Sequence, residues 1–312
     1  MASENLFTVA AVRKSSDGTI KDFLFNESPR IFELGRTLKG DESAIAKINA
    51  VLGKNRPIKV AIDSRNNLIN KIIAPSDIEV KEFLSKIFRL ENPEKPKAID
   101  LSKIDHSTFN IVDHYLKPPV FKLCTKVVPN YLKAKEIFDY CAQQSCHLPG
   151  PYAVNPCIPF QYVRDGCYAR AHKMRWIITT KYHYCCEKVF SFANSGNDTL
   201  AVKASMWGGC CVTWWYHVAP LIRVVVKLGK FTFTQAMVID PGMFDKPVTL
   251  STWLSAQANT TCAPNAKVSM YSIQPGSAYW PANYAGTQYG TDNNYVSTDS
   301  TLIAYQNLQT CP

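Results

Sequence analysis

Asp165-Gly166-Cys167-Tyr168-Ala169-Arg170-Ala171-His172-Lys173-Met174-Arg175 is the stretch from which the rest of the chain is read. A turn dipeptide delivers a cysteine onto the first turn of a helix. Ala169, Ala171, Met174 and Arg175 are good helix formers, and Ala171, Met174 and Ile178 recur at helical spacing with Cys167. A sulfur there lies among unpaired backbone N–H groups at the positive end of the helix dipole. That setting favours the nucleophilic thiolate and predicts a pKa of roughly 3.5–7.5. The competing reading, in a chain of 11 cysteines, is a disulfide cysteine that happens to open a helix.

A thiol nucleophile needs an imidazole to take its proton and an acceptor to orient that imidazole. Trp214-Trp215-Tyr216-His217-Val218-Ala219 and Met237-Val238-Ile239-Asp240-Pro241 both read as strands, rich in β-branched and aromatic residues. Between them, residues 221–234 read as a hairpin turning near Gly229. A turn centred between Leu228 and Gly229 sets His217 opposite Asp240 on adjacent antiparallel strands, within side-chain reach. A one-residue slip would part them to opposite faces. His172, five residues beyond Cys167, points elsewhere on the helix, and His183 lies in a polar turn. Gln161, six residues before Cys167, is a candidate oxyanion donor or simply an exposed strand residue. The backbone N–H of Cys167 is the safer donor.

The run DGCYARAHKMR at 165–175, the later Tyr216-His217-Val218-Ala219 and the Val238-Ile239-Asp240-Pro241 resemble bacterial protein-glutaminase, a protein-glutamine deamidase family. The flanking Gln144-Ser145-Cys146, Pro156-Cys157, Cys186-Glu187-Lys188 and Gly209-Cys210-Cys211-Val212 agree, and the likeness covers about residues 125–312. Cys124, Cys141 and Cys185 have no counterpart in that pattern. The resemblance implies an α+β, transglutaminase-like or papain-like cysteine-hydrolase domain, made as a secreted proenzyme. Its triad would be Cys167 (nucleophile), His217 (general acid/base) and Asp240 (orienting the histidine). It implies hydrolysis of protein- or peptide-bound glutamine to glutamate with release of ammonia through a Cys-thioester. The triad alone fits a papain-like thiol protease or a transglutaminase equally, since all three pass through an acyl-thioester, and only the resemblance selects deamidation.

The 312 residues suffice for two domains, and 46% hydrophobic with 19% charged residues describes a globular chain. The net charge of +10 comes without a basic block or an RNA-binding motif, which argues against nucleic acid as a partner. Composition breaks near residue 123. All 11 cysteines and all 6 tryptophans lie beyond it, as does every tyrosine except Tyr115. The expected division is therefore 1–122, a small inhibitory and chaperone-like α+β pro-domain, and 123–312, the catalytic domain. Ten cysteines besides Cys167 allow up to five bridges, a density suited to an oxidising compartment. Cys146 and Cys157 enclose a proline- and glycine-rich loop that a disulfide would pin. The adjacent pairs Cys185-Cys186 and Cys210-Cys211 would bridge outward. No CxxC pair supports zinc, and neither metal nor cofactor is expected. No apolar run reaches membrane-spanning length, and Met1-Ala2-Ser3 reads as an expression start in place of a removed leader.

In the front third, strands are expected at 6–12, 20–25, 58–63 and 68–73, with turns at Asp17-Gly18 and Arg65-Asn66-Asn67. Helices are expected from Asp41 to Leu52, closed by Gly53, and from the Ser76–Glu79 capping box to about Leu90. Pro93 and Pro96 punctuate a linker before a short helix around 106–116. An activating protease would cut in the Lys117–Asn130 stretch, for example at Lys122 or Lys126. Beyond it come a helix over 129–145 with Leu132, Ile137, Phe138 and Cys141 inward, and strands at 182–193 and 200–207. An aromatic C-terminal segment is read as packing on the sheet, with a peptide-gripping cleft wall or carbohydrate binding as alternatives. The expected partners are glutamine-bearing proteins or peptides and the activating protease, with no membrane, for a monomeric enzyme.

Overall fold

The computed structural model describes residues 3–52, 54, 56–63, 66–85, 88–91, 97–98, 126–228 and 231–311. The front part contains β1 (Ser3–Lys14), β2 (Ile20–Phe25), β3 (Ser28–Leu34), α1 (Glu42–Val51), β4 (Pro57–Asp63), β5 (Leu68–Ile73) and α2 (Asp77–Ser85). Its five strands close into a barrel in the order β1-β2-β3-β5-β4. In β4 the alternating Ile58, Val60 and Ile62 enter the barrel core with Phe23, Phe25, Phe32 and Ile69, as a period of two requires. Ala44 and Ile48 of α1 pack onto that core, and Asp41 caps the helix by accepting the Ala44 N–H at 3.1 Å. The Ser76–Glu79 capping box forms in both directions, at 2.8 and 3.3 Å.

Two expectations for this part need correction. The chain at 28–34 is a strand, β3, that turn chemistry did not announce, and α2 ends at Ser85. Residues 88–90, expected to be helix, belong to strand β6 (Phe88–Glu91), and Lys97–Ala98 is β7. Both are recruited by distant strands, a tertiary override of local propensity. Gly53, Arg65, Pro93, Pro96, the expected helix around 106–116 and residues 117–125 lie outside the described residues.

The rest of the chain contains α3 (Tyr131–Ala142), α4 (Cys167–Thr180), β8 (Glu187–Phe192), β9 (Leu200–Lys203), β10 (Cys211–Trp214), β11 (Tyr216–Leu228), β12 (Phe231–Val238) and β13 (Val248–Thr249). There follow α5 (Leu250–Ser255), β14 (Met270–Gln274), β15 (Ala278–Pro281), β16 (Gln288–Thr291) and α6 (Val296–Tyr305). A six-stranded antiparallel sheet runs β13-β12-β11-β8-β14-β7, and a three-stranded sheet runs β15-β16-β6. Strand β9 pairs with β10, not with β8 across the 195–198 turn. Helices α3 and α4 pack on β11, and α6 packs on α4. The fold is mixed α+β. Among the described residues, no helix is long and apolar enough to cross a membrane.

Helix α4 is central. Every residue from Cys167 to Met174 is buried, so each polar one among them needs a partner. Lys173 Nζ meets Asp299 Oδ1 at 2.8 Å and the Asn155 carbonyl at 2.9 Å. On α3, Ile137, Phe138 and Cys141 face inward as expected, but Leu132 is 79% exposed. That position falls on the solvent side of a helix that starts at Tyr131.

Disulfides join Cys146–Cys157, Cys210–Cys311 and Cys211–Cys262, and Cys185 is also disulfide-bonded. The pinned loop and the outward bridging of Cys210-Cys211 match expectation. Cys141 and Cys186 are free and buried, so the maximum of five bridges is not reached.

Candidate active site

Gly166 carries the chain into α4 at φ 73°, the left-handed region that glycine enters without a Cβ penalty. A Cβ here would also lie 2.8 Å from the Tyr305 ring. Asp165 shapes the turn from the side, its Oδ1 accepting the Gly166 N–H at 2.6 Å. Arg170, one turn into the helix, donates through Nη1 to the carbonyls of Tyr162 and Asp165, both at 2.6 Å. The loop that presents the nucleophile is thus pinned by a buried guanidinium.

Cys167 is free and 2% exposed. The backbone N–H of Val218, the residue after His217, lies close enough to the sulfur to favour its thiolate form. Burial pushes the thiol up to about 12, against the pull of the Arg170 cation and of the Val218 N–H. The expected low pKa is therefore not found in this covered form. Desolvation of the charged form outweighs the helix dipole where water is excluded.

His217 and Asp240 meet, with Nε2 to Oδ2 at 2.9 Å. The hairpin register differs from expectation. Leu221 lies opposite Val238 and Leu228 opposite Phe231, two residues along. A shift of two keeps every side chain on its face where a shift of one would not. Asp240 accordingly stands just past the end of β12, on the histidine's face and still within reach. Burial works against its carboxylate. His217, the Trp253 indole N–H at 2.9 Å and the Arg170 charge outweigh that, holding the carboxyl below its ordinary value.

The imidazole is clamped between two indoles. Trp214 stacks at 4.5 Å and 8°, Trp253 at 5.4 Å and 23°. Trp214, the last residue of β10, in turn donates through Nε1 to the carbonyls of Val163 and Arg164 at 3.1 and 3.2 Å, tying the indole that stacks on the histidine to the nucleophile loop. With Nε2 committed to Asp240, Nδ1 is left buried and without a hydrogen-bond partner among the described residues.

Other polar residues near the helix are committed elsewhere. His172 Nδ1 accepts from Lys188 Nζ at 2.7 Å, and its Nε2 reaches the Asp292 carbonyl at 3.1 Å. Burial, with the cations Lys188 and Arg175, drives His172 down to about 2, so it stays neutral. Gln161, expected on the surface if not at the oxyanion, is buried and donates to the Gln306 carbonyl at 2.8 Å.

The front barrel covers this site with the turn between β2 and β3. Residues 25–30 are all buried. Ser28 Oγ donates to Asp165 Oδ2 at 2.8 Å. Trp215 N–H meets the Pro29 carbonyl at 2.9 Å, and the Trp215 indole N–H meets the carbonyls of Ser28 and Phe25 at 2.8 and 3.1 Å. Tyr216 hydroxyl reaches the Asn26 carbonyl at 3.3 Å. Neither this covering turn nor the two indoles beside His217 was found from sequence. The indoles' proximity is a long-range matter, and the only hint was that all tryptophans lie in one part of the chain.

Comparison with known proteins shows what the chain is similar to. A family model described as glutaminase matches residues 134–257. The crystal structure of pro-protein-glutaminase superposes with a TM-score of 0.71 at 27% identity, covering 99% of this chain and 95% of that one. The crystal structure of protein-glutaminase shares 36% identity over 60% of this chain and 92% of its own, with a TM-score of 0.51. The NMR structure of protein-glutaminase from Chryseobacterium proteolyticum matches at 36% identity over 59% and 91%, also at 0.51. No curated protein matches the sequence. The class is that of a hydrolase acting on amides, an enzyme that deamidates glutamine. The chain belongs to the protein-glutaminase family, in its proenzyme form.

Proposed function

We propose that residues 123–312 form a transglutaminase-like or papain-like catalytic domain that deamidates glutamine in proteins through Cys167, His217 and Asp240, and that residues 1–122 hold it latent. One observation carries the catalytic reading. A free thiol at a helix mouth lies by the backbone N–H next to an imidazole that is locked to a carboxylate through one nitrogen and bare at the other.

His217 Nε2–H donates to Asp240, which leaves the Nδ1 lone pair to accept the Cys167 proton. The thiolate attacks the carboxamide carbon of glutamine, and the carbonyl π electrons move to oxygen, held by backbone N–H donors such as that of Cys167. The C–N bond breaks as His217 returns the proton to nitrogen, and ammonia leaves. A water, deprotonated by His217, then attacks the thioester and expels the sulfur, giving glutamate and the resting thiol. An amide in place of the Asp240 carboxylate can still accept through its oxygen from Nε2–H and the Trp253 N–H, which share Oδ2, but it lacks the charge that stabilises the imidazolium formed when Nδ1 takes the thiol proton. Asp240→Asn should therefore lower kcat by about 10³- to 10⁴-fold with little change in KM, read by steady-state ammonia release from the processed protein. A loss under about tenfold would remove Asp240 from the orienting role.

Latency rests on the turn at 25–30, which excludes water and substrate from Cys167. A secreted protease cutting in the 117–130 stretch would release it, and the monomeric enzyme would then meet its substrates outside the cell. The direct experiment is limited proteolysis of the full chain followed by assay on casein. Ammonia is expected only after the front third is lost, with neither casein fragments nor amine incorporation. Activity of the uncut chain equal to that of the cut one would overturn latency. Fragments or incorporated amine without ammonia would overturn deamidation.

A further inference from the structure

Strands β6 and β7 are the end strands of two different sheets. β6 lies along β16, with Leu90 opposite Tyr289 and Phe88 opposite Thr291, and β7 lies along β14, with Ala98 opposite Met270. With them gone, β16 and β14 become the edges. Natural sheet edges are guarded by short length, proline or lysine. The opposite edges of these sheets are guarded in that way: β13 has two residues and follows Lys246-Pro247, and β15 ends in Pro281. Gln288-Tyr289-Gly290-Thr291 and Met270-Tyr271-Ser272-Ile273-Gln274 contain neither proline nor charge. Nothing in either strand deters pairing, so each is built to be covered.

The main chain of β16 is turned toward the neighbour it would lose. In an antiparallel ladder a residue's N–H and C=O point to one side, and the side alternates along the strand. The Gln288 carbonyl accepts the Ala282 N–H at 2.7 Å, on the β15 side. Tyr289 and Thr291 therefore face the other way, toward β6. Pro281, opposite Tyr289, has no N–H to draw it back. This edge also lies near the nucleophile. Trp280 of β15 meets Tyr168, the residue after Cys167, at 5.4 Å, and a Cβ on Gly290 would be 2.7 Å from the Trp280 indole nitrogen. A cavity of about 700 Å³ is lined by Asp165, Tyr168, Trp280 and Phe83, the last in α2, just ahead of β6 in sequence.

We propose that the edges of β16 and β14 vacated on processing are a docking surface for the substrate protein, whose extended chain adds to them as a strand beside its reactive glutamine. The surface rests on the processing proposed above, since it opens only when residues 1–122 leave. Strand addition binds main chain, so it accepts many sequences. The rings of Tyr168 and Trp280 separate it from Cys167, a span that an extended chain crosses in about four or five residues. An extended protein segment can meet both places, whereas a blocked glutaminyl dipeptide reaches only the nucleophile.

The test takes full-length protein after limited proteolysis and adds a synthetic peptide with the sequence of residues 86–98. Two substrates are compared, casein and a blocked glutaminyl dipeptide. The peptide is expected to raise KM for casein at least about threefold and to leave kcat/KM for the dipeptide unchanged. A version N-methylated at Phe88 and Leu90 lacks the two N–H groups that face β16 and should have no effect. Equal inhibition of both substrates would put the peptide at the nucleophile and overturn the docking surface. No inhibition of casein turnover, or inhibition that survives N-methylation, would overturn it too. So would a processed dimer that the peptide splits, which would give the edges to a second copy. No ammonia from the dipeptide without the peptide would instead sink the underlying deamidase reading, so the two failures are told apart.

Discussion

Cys167→Ser should reduce ammonia release from the processed protein by at least about 10⁴-fold. The reason is the acid strength of the nucleophile. A serine hydroxyl loses its proton far less readily than a thiol, and His217, held by Asp240 in the correct tautomer, was matched to a sulfur. Structure should survive the change. The side chain shrinks only slightly, so unfolding should move by less than about 1 kcal/mol. The measurement pairs an ammonia assay with a thermal melt of the uncut chain. A folded serine variant within about tenfold of the parent would remove Cys167 from the chemistry altogether.

The second large effect concerns the state of that thiol before and after the front third is lost. In the intact chain its pKa is pushed up to about 12 by burial. At pH 8 only about one molecule in ten thousand then carries the reactive thiolate. Iodoacetamide labelling of Cys167 should be correspondingly slow, and should rise about tenfold per pH unit between roughly 8 and 11 as the thiolate fraction grows. Without residues 25–30 the sulfur returns to a wet helix mouth beside Arg170. Its pKa should fall toward roughly 3.5–7.5, and labelling at pH 8 should accelerate at least about a hundredfold and lose its pH dependence. Cys186, whose thiol burial also pushes up to about 12, provides the internal control, since the groups that act on it are Arg175, Lys188, Glu187 and Leu221, none of them in the turn. Labelling followed by mass spectrometry reads both cysteines at once. Equal Cys167 rates in cut and uncut protein would show that the barrel does not govern the nucleophile.

Both predictions make the covering turn a participant in the electrostatics of the site as well as a physical block. A helix dipole and a neighbouring cation favour a thiolate only when the sulfur is hydrated or otherwise compensated. Removing water from Cys167 reverses the balance without moving a catalytic residue. The proenzyme can therefore keep His217 on Asp240 and the loop pinned by Arg170 while holding its sulfur protonated. On the proposed reading, activation would require uncovering alone, with no rearrangement of the parts already in place.

Residue order along the chain was enough to specify several local elements and to pair His217 with Asp240. Asp165-Gly166 had to be a turn, Cys167 had to open a helix, and β2 and β5 begin and end where alternation and turn residues put them. His217 and Asp240 were legible as partners because a period of two fixes which face a strand residue occupies, and that survives a register error of two. What depends on neighbours remote in the chain came only with the folded arrangement. Phe88–Glu91 became a strand because β16 offers it an edge. Trp214 and Trp253 flank the imidazole because two separate segments close on it. The thiol's pKa went up because the folded chain buries it, and burial, unlike spacing, is a property no short stretch of sequence carries.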